Sequence, residues 1–167
     1  MIAYKFLRAD GTGAFTGFAW PPPDGGPGRW VDAPAADPCR TGIHACRVRD
    51  LPYWASRVLY EIELAGDVVE HGTKLVAPRG RLVRRIGAWD DAFRATYTRW
   101  CADRAHEIAR GSGLERWREV IEPSISEGPA LLGFVAARIA EAGAGTEAYY
   151  AERARQSAWL AERLELA

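Results

Sequence analysis

Lysine is close to missing from this chain: of its 22 basic residues only Lys5 and Lys74 are lysine, and the rest are arginine. That bias, together with abundant alanine, is what a GC-rich coding sequence produces. Cysteine is also scarce, at three in 167 residues. Three thiols cannot all pair within one chain and a disulfide framework is unusual for a domain able to build its own core, so the thiols are expected to be reduced and the protein cytoplasmic. Net charge is absent too, since 22 basic side chains balance 22 acidic ones. Without an overall field there is no expectation of a nucleic-acid partner. Long apolar runs are lacking: the longest, Ala130 to Ala137, falls far below the roughly 20 residues of a membrane helix, so no membrane association is expected. Charges at Lys5 and Arg8 interrupt the first residues and argue against a secretory leader. The chain has no Gly-x-Gly-x-x-Gly, no P-loop and no Gly-x-Ser-x-Gly, which removes the commonest nucleotide and serine-hydrolase signatures.

What is present changes character near residue 86. Before it, short apolar alternations are separated by Gly, Pro and Asp, the pattern of strands and turns. Strands are expected at Ala3 to Arg8, Thr16 to Trp20, Gly42 to Arg47, Val58 to Leu64, Lys74 to Ala77 and Arg81 to Ile86. A short helix is expected over Asp50 to Arg57. The clearest strand sets Tyr60, Ile62 and Leu64 on one face and Glu61 and Glu63 on the other. Beyond residue 86 the period becomes helical: Trp89, Phe93, Tyr97, Trp100, Cys101 and Ile108 share one side of a helical wheel, with Asp90 and Asp91 in the first turn and Gly111 beyond the end. A capping-box pattern, Ser112-Gly-Leu-Glu115, predicts a short helix stopped at Pro123. Two further helices are expected, from Pro129 to Ala142 and from Thr146 to Leu164. The whole predicts one α+β domain over residues 1–167, in which a small, mostly antiparallel sheet from residues 1–86 packs against the helical residues 87–167.

Chemistry concentrates at Cys39-Arg-Thr-Gly-Ile-His-Ala-Cys46, just after the Pro21 to Gly28 loop, a candidate surface flap. A strand there sends His44 and Cys46 to one face and Ile43 and Ala45 to the other. Three uses are open. Cys39, His44 and Cys46 are zinc-type ligands, but Cys-x4-His-x-Cys does not match the familiar knuckle spacings, and no cofactor is predicted. Cys46 with His44 is a thiol–imidazole pair, although neighbours on one strand face project in parallel. Third, His44 is an acid or base on a polar sheet face shared with Cys46, Glu61 and Glu63, if this strand lies beside Leu59 to Leu64. Arg79 to Arg85 forms the densest basic run, a candidate with Lys5 and Arg8 to hold a phosphate or carboxylate, though such a run is more often the wet face of an edge strand. Of seven tryptophans, Trp20, Trp30 and Trp54 surround the motif and, with Tyr4 and Lys5, are candidates to wall a ligand pocket.

Taken in order, Tyr4-Lys-Phe-Leu, Gly17-Phe-Ala-Trp20, Gly28-x-Trp30-Val, the Cys39 to Cys46 motif, Leu59-x-x-Ile-Glu-Leu-x-Gly-Asp67 and Lys74-Leu-Val-Ala77 resemble a domain of unknown function of phage and actinobacterial proteins. The resemblance covers residues 3 to 90 and implies no assigned reaction. More loosely, a Gly-aliphatic-His strand followed by a helix and a strand like Leu59 to Leu64 is similar to the ADP-ribosyltransferase-like fold. That likeness implies a dinucleotide site, for which this chain offers Tyr4, Lys5 and Arg8 on its first strand and no Glu-x-Glu strand after residue 86.

The sequence therefore predicts a small enzyme acting on a small molecule or nucleotide-like ligand around His44. The alternative is a non-catalytic ligand- or protein-binding module using a tryptophan-rich pocket, and the third reading is a metal-stabilised domain.

Overall fold

The computed structural model describes residues 1–166, and its contacts divide the chain into two compact units, Met1–Trp89 and Asp90 onward. All strands lie in the first unit, and the four long helices lie in the second.

The first unit holds β1 (Ile2–Leu7), β2 (Val31–Asp32), β3 (Ile43–Ala45), α1 (Leu51–Trp54), β4 (Val58–Ala65), β5 (Val69–His71), β6 (Lys74–Ala77) and β7 (Arg79–Arg85). They form two antiparallel sheets, one ordered β1-β4-β7-β2 and the other β3-β6-β5. The alternating pattern of β4 is expressed as expected: Ile62 and Leu64 are buried, while Glu61 and Glu63 form ion pairs on the opposite face. The apolar side of this unit packs Ala3, Leu7, Ile43, Ala45, Ile62, Leu64, Leu75 and Leu82 around Trp20. Complete burial of each Leu or Ile stabilises the unit by roughly 1.5–3 kcal/mol. Past β3 the chain meets the edge of β1: Tyr4 and Cys46 exchange two backbone hydrogen bonds of 2.9 and 2.8 Å. Trp89 closes the unit, meeting Phe6 edge-on at 5.4 Å and donating its indole N–H to Ser56 O at 2.9 Å.

Two expectations for this unit are corrected. Thr16 to Trp20 is not a strand: Gly17 takes a positive φ of 66° and turns the chain, leaving one bridge between Thr12 and Ala19. β3 does not lie beside β4, because β4 is bordered by β1 and β7. The Pro21 to Gly28 loop is tied down at its end by the Gly28 N–H, which donates to Leu82 O at 2.8 Å. A Cβ at Gly28 would sit 2.6 Å from Pro21 O, so the loop folds on itself where only glycine fits.

The second unit consists of α2 (Asp91–Gly111), α3 (Arg118–Glu127), α4 (Pro129–Ala144) and α5 (Thr146–Leu164). The Asp90 carboxylate caps α2 by accepting from Phe93 N at 2.8 Å, which satisfies one of the free N–H groups of the first turn. Tyr97 and Trp100 of α2 stack on Trp159 of α5 with centroids 5.2 and 5.3 Å away. Beside them α5 buries Glu152, Arg153 and Gln156. Glu152 accepts from Arg104 of α2 at 3.0 Å, and Gln156 donates to Gly133 O of α4 at 2.9 Å, so the buried charges and amide are partnered across three helices. The predicted capping box does not form. Ser112 instead ends α2, donating its N–H to Ile108 O at 3.0 Å, and Gly113 follows at φ 65°. Pro123 lies inside α3 rather than at its end, and packing of α3 on α2 and α4 outweighs the helical hydrogen bond it forfeits. No helix among the described residues is long and apolar enough to cross a membrane.

Candidate functional site

Where β3 meets the edge of β1, the first unit opens a cleft of about 880 Å³, within the size range of small-molecule sites. Its walls are mostly apolar and include two tryptophans, three phenylalanines and two tyrosines. Trp54, at the end of α1, is fixed by its indole N–H donating to Thr73 O at 3.0 Å. Phe15 stands edge-on to Trp54 at 6.5 Å and Phe18 edge-on to Trp20 at 5.6 Å. The loop carrying both phenylalanines is held by the Arg8 guanidinium, which donates to Ala14 O at 2.6 Å.

Both lysines of the chain line this cleft. Lys5 follows Tyr4 on β1 and so leaves the strand on the opposite face. Its ammonium donates to His44 O at 2.6 Å and stands 4.7 Å from the centre of the Trp20 ring. Lys74 opens β6, lies 5.2 Å from the Trp54 ring centre, and donates to Cys39 Sγ at 3.4 Å. Each ammonium thus faces an indole, a favourable contact between a cation and a ring quadrupole. Burial is the main influence on the Lys5 ammonium and lowers its pKa to about 8. Burial also lowers the pKa of His44, and the charges of Lys5 and Lys74 push it the same way. Neutral imidazole is therefore the prevailing form near pH 7.

The structure gathers Tyr4, Lys5, Trp20, His44, Cys46 and Trp54 at this one cleft and leaves Trp30, Glu61 and Glu63 outside it. The shared polar face proposed for His44, Cys46 and the two glutamates does not assemble, because β1 intervenes. Cys46 pairs with Tyr4, and Tyr4 pairs with Glu61, which places the carboxylate two strand spacings, roughly 10 Å, from Cys46. Both glutamates are engaged elsewhere: Arg81 donates to Glu63 at 2.7 Å and Arg84 to Glu61 at 2.9 Å. A bulge in β7 makes both pairs fit, since the register passes from Glu61–Arg84 to Ile62–Leu82 and skips Val83. Trp30 is covered by the guanidinium groups of Arg79 and Arg81, at 4.7 and 4.5 Å from its ring centre.

Cys46 is unsuited to nucleophilic work in this setting. It is 2% exposed, and burial, reinforced by Asp50, drives its thiol pKa upward, so the thiolate is disfavoured. Cys39, by contrast, is exposed and sits at a positive φ of 67° at the cleft wall. The zinc-type set Cys39, His44 and Cys46 does not converge: among the described residues no three His, Cys, Asp or Glu side chains are placed to hold a metal ion.

Phe15, Phe18 and Lys74 were not nominated by sequence reasoning. Phe18 sits in a segment that reads as a strand and Phe15 just ahead of it, with the turn at Gly17 between them. For Lys74 a signal was present, because a chain that uses arginine almost everywhere spends its two lysines at residues 5 and 74. Comparisons with protein-family models, with curated proteins and with solved structures found no match for this chain.

Proposed function

We propose that the first unit binds a small planar ligand bearing negative charge, nucleotide-like in that sense, in the cleft between Trp20 and Trp54. The observation that supports this most directly is the pairing of each lysine with an indole ring inside one cavity. A flat ring takes the aromatic contacts, and a phosphate or carboxylate answers the two ammonium groups. The three cysteines are unbridged, which supports a reducing compartment such as the cytosol. The test is tryptophan-fluorescence titration with nucleoside monophosphates and the matching nucleosides. Binding that is lost with the phosphate, and weakened about tenfold or more in Trp54→Ala, is the expected result. Equal binding of wild type and Trp54→Ala, or none to either, overturns the reading.

A second reading makes this site catalytic, with His44 as the proton acceptor. It rests on the neutral imidazole at the cleft wall beside two cations. Under it, His44→Ala folds and binds as the wild type does but fails to turn over any ligand that the wild type converts.

A further inference from the structure

Every ion pair among the described residues uses an arginine or His106, and none uses a lysine. Structural cation roles in this chain therefore fall to arginine, while the only two primary-amine side chains face one cavity. Arginine supplies permanent charge; lysine is the cation that can shed its proton and become a nucleophile. Lys5 has the surroundings for that role. It lies half-buried against Trp20 and beside the uncharged thiol of Cys46, with no carboxylate pairing its nitrogen and a backbone carbonyl, His44 O at 2.6 Å, as its hydrogen-bond acceptor. The carbonyl and the Trp20 face both favour the ammonium form and burial opposes it; because the carbonyl accepts from the neutral amine as well, the nitrogen stays aimed at His44 O when its proton is lost. Lys74, which lines the same cleft over Trp54 and beside exposed Cys39, is placed to hold an anionic group.

We propose that Lys5 forms an imine with a small aldehyde or ketone that also carries a phosphate or carboxylate, the anionic group being held by Lys74. The inference rests on the ligand-binding reading above and narrows it to carbonyl compounds. The neutral amine of Lys5 attacks the carbonyl carbon, forming the C–N bond as the carbon–oxygen π pair moves to oxygen, which takes a proton. The resulting carbinolamine loses that oxygen as water while the nitrogen gives up its remaining proton. The sum is amine plus carbonyl giving imine plus water, with no oxidant or reductant. Neutral His44 is a group at the cleft wall able to take and return the proton.

The full-length protein is incubated with pyridoxal 5′-phosphate as the probe, reduced with borohydride and mapped by peptide mass spectrometry. Pyridoxine 5′-phosphate, which has the same ring and phosphate but no carbonyl, is titrated in parallel by tryptophan fluorescence. One adduct per chain on Lys5 is expected, formed about tenfold faster than on an amine of ordinary basicity, because a larger neutral fraction outweighs its lower intrinsic nucleophilicity. The adduct disappears in Lys5→Arg, whose folding is checked by circular dichroism. An adduct confined to Lys74 or the Met1 amine, with pyridoxine 5′-phosphate still bound, overturns the imine and leaves the binding reading standing. Absence of both adduct and binding overturns both.

Discussion

Replacing Lys5 with methionine removes an amine whose burial carries a calculable, pH-dependent cost. The folded-state pKa of about 8 lies below the ordinary value of 10.5, so between these values the unfolded chain binds the extra proton and stability rises with pH. By linkage the cost is about 3 kcal/mol near pH 7 and falls to about 1 kcal/mol near pH 10. Methionine keeps the apolar stem and has no proton to bind, but it leaves His44 O without its 2.6 Å donor, a loss of about 1 kcal/mol or more that does not vary with pH. The stability difference between wild type and Lys5→Met should therefore move in the wild type's favour by roughly 2.5 kcal/mol between about pH 7 and about pH 10. Pulsed thiol labelling along a urea gradient reads this for each unit separately, because Cys46 is buried in the first unit and Cys101 in the second. The Cys46 midpoint should shift and the Cys101 midpoint should not. A difference that stays constant with pH, or reverses in sign, would refute the reasoning that burial is what lowers the Lys5 pKa.

Gly42 has φ 120°, and a Cβ there would sit 2.5 Å from Val76 Cγ1, so Gly42→Ala should lower the Cys46 labelling midpoint by the equivalent of roughly 2–4 kcal/mol; an unchanged midpoint would show that β3 and β6 can shift apart freely. In the second unit, Glu152→Ala leaves Arg104 without its buried partner and should cost roughly 3 kcal/mol or more at Cys101, with Glu152→Gln milder because it keeps an acceptor. Asp90→Ala removes the cap on α2 and should cost about 1 kcal/mol at the same thiol. Under native conditions exposed Cys39 should react with a thiol reagent, while Cys46 and Cys101 stay protected; for Cys101, burial holds the pKa at about 12.

Elements fixed by local pattern were legible in the sequence. Tyr60-Glu-Ile-Glu-Leu64 alternates without ambiguity, and α5 begins at Thr146 and ends at Leu164 where its period starts and stops. What stayed hidden was pairing. A strand of three residues such as Ile43–Ala45 contains nothing that names its neighbour, and the choice of β6 and β1 over β4 is made by contacts far along the chain. The arginine partners of Glu61 and Glu63 are hidden in the sequence for the same reason. Their partners Arg81 and Arg84 differ in spacing by one residue, and only the skipped Val83 reconciles the two rows. Two-residue β2 and three-residue β5 are too short for any periodicity to register. The candidate site was half-visible: His44, Lys5, Trp20 and Trp54 lie at the cleft, but Phe18 falls in a stretch that reads as a strand until Gly17 is seen to turn it, and Phe15 falls just before that stretch.

Trp89 gives the first unit a defined order of completion during synthesis. Its ring seats against Phe6 of the opening strand, and its N–H reaches Ser56 O, so the last residue of the unit seals the first. A nascent chain still short of Trp89 has β1 and β4 available but lacks the ring that covers Phe6, and Lys74 joins the cleft only once β6 has formed. Every residue that lines the cleft lies at or before Lys74, so a growing chain carries the whole set of cleft residues before it reaches the ring that covers Phe6.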